Sequence, residues 1–155
     1  MEFLHCIIYL ASMGILVFLI GRYFPRKWIL ENKFPFCDFK FEDNGLFYER
    51  IFKIKKWKTK WPDASMILHK FFPKHYPKKR IERCDKQKIP VLIKESCIAE
   101  STHVIAGLLG FLCIKIWKKS GGIVLSITWA LFNLPPILIQ RYNRPRLKRA
   151  LLLIK

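Results

Sequence analysis

At 155 residues the chain has the length of one domain, yet its 52% hydrophobic content sits beside 29 Lys and Arg against 11 Asp and Glu, a formal charge of +18. So much apolar sequence with so much charge requires the two to be segregated into blocks, which excludes an evenly patterned soluble globule. Three long apolar runs also set nucleic acid aside as the partner of the positive charge, leaving membrane lipid, anionic phospholipid headgroups and phosphate-bearing substrates.

The first unit is residues 1–22. From residue 3 to residue 21 no charge interrupts the chain, about 19 residues, enough to cross a hydrocarbon core of about 30 Å. Only Glu2 precedes this run, whereas Arg22, Arg26 and Lys27 follow it. That order does not fit a signal peptide, and the positive-inside bias places the N-terminus outside and the following chain in the cytoplasm. His5 then lies at the outer headgroups.

Residues 23–90 form a cytoplasmic interfacial segment. Twenty of the 29 basic residues lie between Arg22 and Lys94, interleaved with aromatics from Phe34 to Tyr76. Aromatics at headgroup depth and cations against anionic lipid suit a membrane surface. An Asp43-Asn44 cap signal opens an amphipathic helix over about 45–58, with Phe47, Ile51, Ile54 and Lys58 on one face, lying flat on the membrane. Residues 62–90, with Pro62, Pro73, Pro77, Pro90 and the run Lys78-Lys79-Arg80, read as a linker or a loop ordered by substrate, where His69 and His75 are solvated. The five cysteines, Cys6, Cys37, Cys84, Cys97 and Cys113, contain no C-x-x-C pair, so neither a disulfide framework nor a zinc site is expected.

Residues 91–155 read as a transmembrane hairpin, spans at about 97–117 and 122–140, with a basic tail. The turn at Lys118-Lys119-Ser120-Gly121-Gly122 is short, so the third span returns antiparallel to the second. Asn133, Pro135 and Pro136 interrupt the third span, which ends at Gln140–Arg146 and leaves a short amphipathic helix from Leu147. The fold class is therefore an all-α membrane protein, with three transmembrane helices and a basic aromatic interfacial segment between the first and second. It is multi-pass in the cell membrane, with surface enough for an oligomer or a membrane-protein partner.

The candidate chemistry sits where the second span enters the membrane. Glu95, Glu100 and His103 share a helical arc of about 140° with Ala99. Ionisable groups at such a depth are usually functional. Arg141, Asn143 and Arg144 fall at the same depth on the returning helix. A histidine beside a carboxylate serves as general base toward a hydroxyl, and arginines opposite hold a phosphate or an oxyanion. His103 is the expected base, Glu100 its orienting partner and Glu95 a further acid. Arg141, Asn143, Arg144 and the block Lys56-Trp57-Lys58 are the expected substrate-binding residues. The alternative for the carboxylates and arginines is that they pair to hold the helix ends together. Glu100-x-x-His103 also has the spacing of carboxylate-bridged metal bundles, but no second copy exists, so no metal is expected.

Three stretches carry a family likeness: Ala99-Glu100-x-x-His103 after Glu95, Lys56-Trp57-Lys58 to Asp63 after Phe41-Glu42-x-x-Gly45, and Pro135 to Leu147. In these the chain resembles the glycosyl-4,4'-diaponeurosporenoate acyltransferase family, over roughly residues 35–150. Those small integral membrane enzymes are assigned the last step of staphyloxanthin biosynthesis, esterifying a fatty acyl chain onto the glucose of a carotenoid glycoside. The resemblance implies O-acyl transfer to a membrane-embedded glycolipid acceptor, with acyl-CoA or another acyl thioester as co-substrate and no further cofactor. Two other readings stand beside it. Arg141-x-x-Arg144-Pro145 is faintly similar to the Arg-His-Pro signature of small membrane methyltransferases, and the chain could instead be a non-enzymatic subunit or anchor of a larger complex.

Overall fold

The computed structural model describes residues 1–61, 87–118 and 120–153. The expectations for residues 62–86, including His69, His75 and Cys84, lie outside them. Among the described residues the structure is all-helical, and three helices are long and apolar enough to cross a membrane: Glu2–Tyr23, Lys88–Ile116 and Ser120–Leu153.

Helix α1 (Glu2–Tyr23) buries one stripe, Cys6, Leu10, Met13 and Val17, and leaves most of its other large apolar side chains exposed. The spacing i, i+4, i+7, i+11 keeps that stripe on one side of a 3.6-residue helix, so the exposed remainder is the surface for lipid. The second span is helix α4 (Lys88–Leu109), a 3-10 turn at Gly110–Leu112 and the short α5 (Cys113–Ile116). It runs antiparallel to α1. Cys6 lies against Cys113, Tyr9 Oη donates to Leu109 O at 3.0 Å, and Arg26 just beyond α1 pairs with Glu95 at 2.8 Å.

Helix α6 (Ser120–Leu153) packs antiparallel along the second span. Ser126 Oγ donates to Gly110 O at 3.0 Å and Trp129 Nε1 to Ala106 O at 2.9 Å. Hydrocarbon offers no water to these donors, so the neighbouring helix's backbone carbonyls satisfy them. Gly110 permits the contact, because a Cβ there would stand 2.3 Å from Trp129 Cδ1.

The expected spans at 97–117 and 122–140 mark only the apolar parts of longer helices. At 1.5 Å per residue, 34 residues give α6 about 51 Å, well beyond a hydrocarbon core of about 30 Å. It continues through Pro135, Pro136 and Pro145 instead of ending at Gln140 and restarting at Leu147. The reason is tertiary. Arg141 and Arg144 are held by partners on other elements, and Lys148 Nζ reaches Asp38 Oδ2 at 2.9 Å and Glu31 O at 3.3 Å.

Between the first two spans the single helix expected over 45–58 is two, α2 (Leu46–Phe52) and α3 (Ile54–Trp57). Lys53, at φ 50°, breaks them. Tyr48 and Ile54 are buried with Tyr142 of α6, while Ile51, expected to share one membrane-facing side with Ile54, is exposed. Before α2, Asp43, Asn44 and Gly45 take three successive left-handed conformations, at φ 46°, 53° and 89°. Asp, Asn and Gly tolerate that region best. Gly45 must also admit Tyr142 O, which a Cβ would meet at 3.0 Å.

Candidate active site

Where α4 and α6 leave the apolar layer, the structure buries a net-neutral cluster. Glu100 is 5% exposed, Glu42 1% and Arg144 1%. Arg141 Nε donates to Glu100 Oε1 at 2.6 Å, and Arg144 Nη2 donates to Glu100 Oε2. Arg141 Nη1 reaches Glu42 Oε1 at 3.3 Å, and Tyr48 Oη donates to the same oxygen. Glu42 Oε2 accepts the Phe39 amide at 2.8 Å. Two guanidiniums and two carboxylates offset each other's desolvation, which neither sign could bear alone in such a setting.

The arginines also pin the segment before α2. Arg141 donates to Cys37 O at 3.3 Å and to Pro35 O, and Arg144 to Phe36 O and Ser96 O, both at 3.4 Å. Their guanidiniums lie over the Phe39 and Phe36 rings, at 4.9 and 5.6 Å. Planar forks with several donors suit this bridging better than a lysine could. Burial first, and then Glu42, hold the Tyr48 phenol above its ordinary pKa of 10.0.

One turn deeper, His103 Nδ1 meets Asn133 Oδ1 at 3.0 Å. Asn133 is 5% exposed, and its Nδ2 donates to Trp129 O at 2.9 Å. A carbonyl only accepts, so that contact fixes which end of the amide is nitrogen. Oδ1 must then accept from His103 Nδ1–H, leaving the Nε2 lone pair as the basic site. His103 itself is part-buried.

The structure thus brings Glu100, Arg141 and Arg144 together, as the depth argument expected, but gives His103 a different partner. Both Glu100 oxygens are taken by arginines, and Asn133 holds the imidazole. Glu95 stands apart, paired with Arg26. Lys58 Nζ donates to Asn143 Oδ1 at 3.1 Å and lies 4.8 Å from the Tyr142 ring centre. Lys56 is exposed. Trp57 lines an open apolar cleft of about 320 Å³ with Lys60, Trp61 and Pro135. Among the described residues no group of His, Cys, Asp and Glu side chains is placed to hold a metal ion.

Sequence reasoning missed Glu42, Tyr48 and the role of Asn133. Glu42 carried a signal, since it stands in the Phe41-Glu42-x-x-Gly45 stretch. Asn133 was visible only as a polar residue inside an apolar run.

Comparison with known proteins places these elements in context. The family described as glycosyl-4,4'-diaponeurosporenoate acyltransferase matches residues 25–152. The protein of that name from Staphylococcus aureus strain MRSA252 is 30% identical over 153 residues, covering 97% of this chain and 88% of the relative. Those from strains bovine RF122 / ET3-1 and N315 are 29% identical over the same coverage. No solved structure matches.

Proposed function

Since the chain belongs to the glycosyl-4,4'-diaponeurosporenoate acyltransferase family, we propose that it transfers a fatty acyl group from an acyl thioester to a sugar hydroxyl of a membrane-embedded carotenoid glycoside. The protein is a multi-pass resident of the cell membrane, N-terminus outside, with the buried ionic cluster at the cytoplasmic end. His103 Nε2 takes the proton of the acceptor hydroxyl as its oxygen attacks the thioester carbonyl. The C–O bond forms, the C–S bond breaks, and the leaving thiolate receives that proton from His103. Asn133 is a positioning residue that holds the imidazole in the basic tautomer. Arg141 and Arg144 act through the fold, by fixing the 31–45 segment, and the Trp57 cleft offers an apolar chain a surface beside the headgroups.

The observation that carries this reading is the His103–Asn133 pair with its fixed amide. Its test is lipid mass spectrometry of cells that make a carotenoid glycoside and express wild type or His103→Ala at matched levels. We expect a glycolipid heavier by one acyl unit with wild type, reduced at least about 100-fold in the variant, the lower range for loss of a general base. Equal acylation in both would remove His103 from the mechanism. Identical lipid profiles with and without the wild-type protein would favour a non-enzymatic subunit.

A further inference from the structure

At the end of the bundle carrying the ionic cluster, Arg26, Arg50, Arg141, Arg144 and Lys148 are each paired with a carboxylate of the protein. Lys55 of α3 and Arg146 and Arg149 of α6 make no ion pair among the described residues, and they line one cavity of about 120 Å³ beside Gly45 and Leu46. Arg146 is oriented there by Tyr142, donating to its Oη at 3.1 Å with the guanidinium 4.9 Å from the ring centre.

The one carboxylate lining the cavity, Glu49, already accepts the Lys55 amide through Oε2 at 3.0 Å. Three cations brought together from two elements against one engaged carboxylate repel each other, and an anion between them offsets that repulsion. Neighbouring Lys58 feels the same excess. Burial lowers its pKa most, and Arg146 and Lys55 lower it further against the opposing pull of Glu49. A phosphate, with several acceptor oxygens for Arg and Lys donors, fits such a hollow.

Depth and neighbours select a lipid as its source. The apolar run of α6 opens at Ile123, and about 20 helical residues cross a core of about 30 Å, which sets the edge near Tyr142. At 1.5 Å per residue Arg146 and Arg149 stand about 6 and 10 Å past that edge. Helical side chains lean toward the N-terminal end of their helix, here back toward the headgroups. Leu46 lines the same cavity and is 48% exposed, an apolar wall that a soluble phosphate leaves in water and a lipid covers. We propose that the Lys55/Arg146/Arg149 cavity holds the phosphate of an anionic phospholipid of the cytoplasmic leaflet, with its glycerol side against Leu46. The phosphate bridges α3 to α6. The inference uses the topology stated above and does not rest on acyl transfer, since the cavity shares no residue with the His103–Asn133 pair.

The full chain is melted in nanodiscs of phosphatidylcholine alone and of phosphatidylcholine with phosphatidylglycerol, and each variant's shift is read against its own melt in phosphatidylcholine. A ligand of the folded state raises the melting temperature, so phosphatidylglycerol should raise that of wild type. Arg149→Gln and Lys55→Gln, both at exposed positions, should lose most of that rise. Lys27→Gln, which removes the same charge from an exposed position outside the cavity, should keep it. After detergent extraction, native mass spectrometry should find phosphatidylglycerol held about tenfold better by wild type than by Arg149→Gln, the scale of a charge-assisted hydrogen bond. An equal loss in all three variants would reduce the effect to general surface charge, and an undiminished rise in Arg149→Gln and Lys55→Gln would remove the cavity from it. Either result overturns the site. Inorganic phosphate reproducing the whole rise in phosphatidylcholine nanodiscs would assign the cavity to a soluble phosphate and overturn the lipid reading.

Discussion

Two polar side chains near the helix interface should respond to substitution in opposite ways. Asn133 holds His103 and accepts no charge, so Asn133→Ala should lower kcat about 100-fold, the order expected when a reacting group is misplaced by an ångström, with KM little changed. Glu100 neutralises two buried arginines, so Glu100→Gln should cost about 3–5 kcal/mol of stability and reduce folded protein before any kinetic effect is seen. Steady-state kinetics together with denaturant unfolding of the detergent-solubilised variants read both outcomes. A Glu100→Gln protein of wild-type stability would mean the carboxylate is not the counter-ion the geometry makes it. Histidine, carboxylate and arginines were all legible as chemistry-bearing residues. Their partners were not, because the Glu42–Arg141 and His103–Asn133 contacts join positions 99 and 30 residues apart, with no periodicity to announce them.

At the scale of elements, the left-handed turn and α2 deliver Glu42 and Tyr48 to α6 as one unit. Tyr48 is held above its ordinary pKa, so the contribution of its hydrogen bond to stability is fully present below pH 10.0, the unfolded value. It is lost as pH rises through the folded pKa. Unfolding free energy measured from pH 9 to 11.5 should therefore fall more steeply for wild type than for Tyr48→Phe. At neutral pH the variant should be less stable by about 1.5–3 kcal/mol, the range for a hydrogen bond to a charged acceptor. Parallel pH curves would show that the phenol does not feel Glu42. The apolar helices were legible here from run length alone, because lipid demands it. The split at Lys53 was not, since Ile54 rather than Ile51 turns inward only where Tyr142 stands to receive it.

For the whole molecule, the bonds from Arg141, Arg144 and Lys148 to the 31–42 segment require both stretches to lie on one side of the membrane, with the turn at Lys118 on the other. In a background lacking native cysteines, an impermeant maleimide added to intact cells should label Lys118→Cys and spare Lys27→Cys and Leu152→Cys until the membrane is opened. Labelling of all three from outside would contradict the arrangement. The helical class, the three spans, the segregation of basic and apolar blocks and the family could be read from runs and motifs in the chain, because hydrocarbon thickness and charge placement act on local stretches of residues. Which carboxylate meets which arginine, and that Asn133 holds His103, follow only from the packed helices. Those outcomes depend on antiparallel packing bringing α6 against both α4 and the 31–57 segment, and no local run of sequence encodes that packing.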